Sequence, residues 1–87
     1  MMNKSQDIFV YAILNDECVK TIKIKKNASR QEFYRTLSQR FNTKITDVYD
    51  INDVPIQFPI SRFYHGKQIC CENNNYIKTS QDVNDNI

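Results

Sequence analysis

The chain has 87 residues, of which 40% are hydrophobic and 25% charged, and a formal net charge of +2. This length allows one domain with one small core and leaves almost no room for an enclosed active site. One Gly, two Pro and no Trp exclude collagen-like repeats, propeller blades and Gly-rich phosphate loops. A binding or scaffolding module is therefore expected, without enzymatic activity and without a cofactor.

Taken in chain order, residues 1–7 are polar and are expected to be a flexible N-terminus. The longest apolar run, Ile8–Leu14, is seven residues, far short of the roughly 20 that a membrane helix needs. It is followed by Asn15, Asp16 and Glu17 and has no small-residue cleavage pattern, so it reads as a strand rather than a signal peptide. Being apolar throughout, it is expected to be buried on both faces. Asn15, Asp16 and Glu17 form a turn, since Asn and Asp tolerate left-handed backbone. Residues 18–26 read as the second strand of a hairpin, with Ile22 and Ile24 on one face and Lys23 and Lys25 on the other. Val19 breaks that parity, and a bulge near Lys20 and Thr21 is expected to restore it.

Ser29 followed three residues later by Glu32 is a capping box, with Ala28 and Phe33 placed for a hydrophobic staple. Phe33, Leu37 and Phe41 repeat every four residues and form one apolar stripe. Their burial contributes roughly 5–9 kcal/mol before entropy is subtracted. Asn42 suits a left-handed terminator, so a helix is expected over Arg30–Phe41. Residues 45–49 then read as a strand, Asp50 to Asp53 as a turn, and Val54, Pro55 and Ile56 as the start of a short edge strand. Residues 58–64 are mixed, with room for a single helical turn ending at His65 and Gly66. Residues 68–72 read as the last clear strand, and Asn73, Asn74 and Asn75 as a turn. Tyr76, Ile77 and Lys78 are candidates to rejoin the sheet, and residues 79–87 read as a disordered tail. The order of hairpin, helix and further strands predicts an α+β fold of the ubiquitin-like β-grasp kind: a mixed four- to five-stranded sheet crossed by one main amphipathic helix, over residues 8–78.

The three cysteines, Cys18, Cys70 and Cys71, have no Cys-x-x-Cys spacing, and adjacent cysteines on a strand point to opposite faces. Reduced thiols in a cytoplasmic protein are expected. His65, Cys70 and Cys71 do not have a recognised zinc spacing. Asp47, Asp50 and Asp53 resemble a calcium loop only loosely, lacking its Gly and closing Glu. His65 is the only histidine, and it stands in a turn, so no catalytic constellation emerges.

Charge is distributed unevenly. Residues 18–44 carry eight basic side chains, Lys20, Lys23, Lys25, Lys26, Arg30, Arg35, Arg40 and Lys44, against one acid, Glu32, giving +7, so the rest of the chain is −5. Lysines on an edge strand also discourage aggregation, and helix charges are usually solvated. Clustering within a Debye length of about 8 Å nonetheless creates repulsion that an acidic partner relieves.

Four segments resemble the doublecortin domain, a ubiquitin-like microtubule-binding module, over about residues 8–78. Ile13-Leu14-Asn15-Asp16-Glu17 is similar to that family's first hairpin, and Val48-Tyr49-Asp50-Ile51-Asn52-Asp53 to its central strand and turn. The run from Ile60 through Phe63, His65 and Gly66 to Cys71 is similar to the closing segment, and Asn73-Asn74-Asn75-Tyr76-Ile77-Lys78 to the ending. Asp16 and Asp53 stand where Gly is usual, and Asn73 stands near another such position; Asn and Asp are the best replacements there. The resemblance implies binding to tubulin in the groove between protofilaments, stabilisation of microtubules, and a place in the cytoplasm on the cytoskeleton. Charge clustering, rather than motif matching, selects Lys20, Lys23, Lys25, Lys26, Arg30, Arg35 and Lys44 as partner-binding residues, with Lys67 added beside the His65–Gly66 turn. The alternative is a Ras-association- or PB1-like signalling adaptor that meets an acidic protein through its basic second strand. Nucleic acid is a weaker expectation, and no membrane partner is expected.

Overall fold

The computed structural model describes residues 7–74. Its elements are β1 (Ile8–Leu14), β2 (Cys18–Ile24), α1 (Arg30–Phe41), β3 (Ile45–Asp50), a 3-10 turn at Arg62–Tyr64 and β4 (Gln68–Asn73). The strands make one four-stranded mixed sheet in the order β2-β1-β4-β3. β1 is antiparallel to β2 and parallel to β4, and β3 is antiparallel to β4. The fold is thus a small α+β domain in which one helix covers one sheet face.

The helix starts and stops where its sequence signals place it. Ser29 Oγ accepts from the Glu32 N–H, and the Glu32 carboxylate accepts from the Ser29 N–H. Asn42 ends the helix at φ 56°, ψ 40°. Phe33 and Leu37 are fully buried, with Phe41 partly so. Beneath them lie Ile8, Val10 and Ala12 of β1, Ile22 and Ile24 of β2, Ile45 and Val48 of β3, and Ile69 and Cys71 of β4. Ala28, Ile56 and Ile60 complete this core, and the Phe58 ring stands 5.2 Å from that of Phe33. The irregular stretch before β4 is tied to the helix start by Ile60 N–H donating to Ala28 O at 2.9 Å.

Turns are built from Asn and Asp rather than Gly. Asn15, Asp16, Asn27, Asn42 and Asp53 all have positive φ, a conformation that short polar side chains tolerate better than other L-residues. Asn15 and Asp16 are consecutive positive-φ residues in the three-residue connection between Leu14 and Cys18, which the Glu17 N–H closes by donating to Leu14 O. Asn15 also exchanges hydrogen bonds with Asn73, through Nδ2 to Oδ1 at 3.0 Å and back from the Asn73 N–H at 3.3 Å. This pair fastens the hairpin tip to the end of β4.

Several expectations are corrected. β1 is buried on one face only: Ile8, Val10 and Ala12 are inside, while Phe9 and Tyr11 are 45% and 46% exposed. No bulge interrupts β2, whose seven residues pair continuously with β1, so Val19 sits on the outer face, 59% exposed. β2 ends at Ile24 rather than at Lys26, because the chain turns through Lys26 and Asn27, with Ala28 N–H donating to Lys25 O. Residues 54–56 form no strand; a single bridge joins Pro55 to Tyr49, since proline has no N–H to extend a ladder. Asn73 belongs to β4 and not to a turn. The expected return of Tyr76, Ile77 and Lys78, and the expected tail over 79–87, lie outside the described residues.

Leu37→Ala is expected to cost about 2–5 kcal/mol, because it opens a cavity in a core with no exposed wall. Asn42→Ala is expected to cost about 1 kcal/mol, whereas Asn42→Gly is neutral or slightly stabilising. Urea unfolding midpoints at unchanged m-value would measure all three.

Candidate functional site

β2 and the flank of α1 beside it gather most of the cations. Along β2, Lys20 shares its parity with Ile22 and Ile24 and therefore projects on the helix side, while Lys23 projects with Thr21 on the outer face. Lys25 and Lys26 follow at the end of the strand, both exposed. Arg40, omitted from the sequence-based candidates, closes this group: its guanidinium reaches Thr21 O at 3.5 Å. The signal for it was its position seven residues after Phe33, which puts it on the same side of the helix as the apolar stripe.

The remaining candidates are dispersed. Arg35 is exposed on α1. Arg30 lies over the Tyr34 ring, 4.8 Å from its centroid, and Tyr34 in turn packs against Phe33 and Phe58. Lys44 is exposed between α1 and β3. Lys67 lies apart at the start of β4, donating to Phe63 O at 3.1 Å with its ammonium 4.6 Å from the Phe63 ring centroid. The structure therefore brings together Lys20, Lys23, Lys25, Lys26 and Arg40, and does not bring Arg30, Lys44 or Lys67 to the same margin.

One acid tempers this margin. Asp7 lies 3.6 Å from the Lys23 ammonium, and its other oxygen accepts from the Lys26 N–H at 3.3 Å. Lys20, Lys25, Lys26 and Arg40 make no ion pair within 4.0 Å among the described residues. Glu32 is held below the usual carboxylate range, first by the hydrogen bond it accepts from the Ser29 backbone and then by the charges of Lys25 and Arg35.

The acids face another way. Burial raises the pKa of the Cys70 thiol, and Asp16, Asp53, Asp50 and Glu72 raise it further, which places these carboxylates around β4 and the two loops beside it. Cations thus predominate along β2, whereas the β3 and β4 side carries these carboxylates together with Lys44 and Lys67. Asp50 is engaged locally, its carboxylate accepting from the Asn52 and Val54 N–H groups at 2.7 and 3.0 Å. His65 Nδ1 accepts from the Phe9 N–H at 3.1 Å. Cys71 is in the core while Cys70 is on the opposite sheet face, and no cluster of three metal-ligating side chains is found among the described residues.

Two further surface features were not read from the sequence. The outer sheet face carries a cross-strand row of Val19, Ile13, Cys70 and Tyr49, next to Tyr11 and Phe9. A shallow hollow of about 230 Å³ lies between the 50–54 turn and the 62–67 segment, with Ile51, Phe63 and Tyr64 in its wall. The row reaches the basic margin through Val19 on β2, with Phe9 opposite Lys23, whereas the hollow does not touch it. No helix among the described residues is long and apolar enough to cross a membrane. No protein-family model, curated protein or solved structure matches the chain.

The thiols make the burial pattern measurable. Burial pushes Cys71 up to about 12 from an ordinary value near 9. Because the folded state holds that proton more tightly, the associated stability is complete below pH 9 and is lost as pH rises toward about 12. Alkylation followed by mass spectrometry is expected to modify exposed Cys18 first, Cys70 more slowly and Cys71 only on unfolding. Cys71→Ala is expected to flatten the loss of stability over that alkaline range.

Proposed function

We propose that this chain is a β-grasp module of the doublecortin type that binds and stabilises microtubules in the cytoplasm, with β2 and the adjoining flank of α1 as its docking margin. Tubulin is strongly acidic, and a concentrated patch of cations gives a fast, salt-sensitive encounter with it. The observation that carries the reading is the gathering of Lys20, Lys25, Lys26 and Arg40, without ion pairs among the described residues, around an edge strand. Two others support it. A parallel β1–β4 pair flanked by antiparallel neighbours beneath one helix suits a β-grasp. Asp16 at φ 62° and Asp53 at φ 64° adopt the backbone that Gly supplies at the matching turns of the family. Arg30, Arg35 and Lys44 add positive charge to the same encounter from the helix side, and Lys67 adds it from the start of β4.

The protein is expected to pellet with polymerised microtubules at about 0.05 M salt and to be released as ionic strength approaches about 0.3 M. Lys20→Glu combined with Lys25→Glu is expected to weaken pelleting about tenfold, with thermal unfolding unchanged as the check on folding. Lys23 is left intact in this variant because it is paired with Asp7. A wild-type protein that stays in the supernatant at low salt overturns the reading. Capture of an acidic signalling domain without pelleting would select the adaptor alternative.

A further inference from the structure

The two margins of the sheet are finished differently. Along β3, the Tyr49–Pro55 bridge and the Asp50 N–H donating to Val54 O at 2.9 Å lay the following loop against the edge. β2 has no such cover among the described residues. The direction of its free backbone groups follows from β1. Tyr11 N–H donates to Lys67 O, Phe9 O accepts from Gly66 N–H, and Asn15 N–H donates to Cys71 O. The odd-numbered residues of β1 therefore spend their backbone groups on the β4 side, and the even-numbered ones on β2. Their partners in register, Ile24, Ile22, Lys20 and Cys18, face inward. Val19, Thr21 and Lys23 accordingly direct their N–H and C=O groups outward. The Arg40 guanidinium on Thr21 O agrees with this.

We propose that β2 accepts an extended, acidic segment of a partner protein as an added strand. The proposal rests on the basic margin described above and adds backbone pairing to it. An incoming strand alternates its side chains between two faces. On the helix side it meets Lys20 and Arg40, which select carboxylates; on the outer side it meets Val19 and Thr21, both exposed, which suit small apolar residues. Lysines on an edge ordinarily prevent strand addition. Here they discriminate between partners: β2 of a second copy would set like charges side by side, and an acidic strand meets no such repulsion. A second copy that offered β3 instead would meet the loop already bonded to Tyr49 and Asp50. The segment is therefore from a different, acidic protein and not from a second copy.

The probe is a synthetic peptide of roughly ten residues alternating Glu and Val, compared with analogues N-methylated at every second nitrogen in either register. The analogues keep the charge and lose the backbone donors. The parent peptide is expected to bind and to slow hydrogen exchange at the Thr21 and Lys23 amides, with at least one analogue roughly tenfold weaker. Thr21→Pro is expected to weaken parent binding by about the same factor, since it removes an outward N–H that no strand uses. Equal binding of the parent and both analogues overturns strand addition and leaves a purely electrostatic contact. Thr21 and Lys23 amides already protected in the free protein also overturn it, because the edge is then filled by the chain itself. Microtubule pelleting without peptide binding defeats this inference alone, and peptide binding without pelleting defeats the tubulin reading alone.

Discussion

Burial of the inner sheet face under Phe33 and Leu37 decides where every charged group of the domain can go. Among the described residues, the core has fourteen apolar residues and no buried polar or charged side chain. With so little interior to spare, each strand must turn one parity inward. Ile22 and Ile24 take the inner positions on β2 and fix Lys23 on the outer face; Phe33 and Leu37 take those on α1 and fix Arg40 on the flank beside β2. The basic margin is a by-product of core packing as much as of composition. A change that rotated α1 by one position would carry Arg40 away from it.

Separation of charge across the sheet follows from the same geometry. Residues 18–44 are basic and supply β2 and α1, whereas the acids come from the hairpin tip, β3 and its turn, and β4. Because β1 lies between β2 and β4, the cations of β2 are set apart from the carboxylates of β4 and its neighbouring loops. The one ion pair among the described residues, Lys23 with Asp7, joins two ends of the same hairpin. Long-range steering by such a field is stronger than a net charge of +2 suggests.

Much of this arrangement was legible in the sequence. The helix limits came from Ser29, Glu32 and Asn42, whose backbone chemistry is local and survives any tertiary context. The hairpin turn came from Asn15 and Asp16 for the same reason. What could not be read depended on neighbours. An unbroken apolar run looks the same whether both faces are covered or one is open, so the exposure of Phe9 and Tyr11 was hidden. Val19 could equally mark a bulge or a surface valine, and only the register with Ile13 decides between them. The site was legible as a charge excess but not as a shape. Charge clustering placed Arg30 and Lys44 with the others, and Lys67 was added beside its turn, whereas packing sends these to separate places and brings in Arg40, which was counted but not chosen.

The loop that covers β3 has a consequence for stoichiometry. A sheet open at both margins can act as a link, receiving one neighbour and offering itself to the next, which is how strand pairing runs on into fibres. With Val54 and Pro55 bonded to the end of β3 at Tyr49 and Asp50, β2 is the more open margin among the described residues. Strand addition of the kind proposed at β2 would then close a discrete pair of chains rather than begin a growing series.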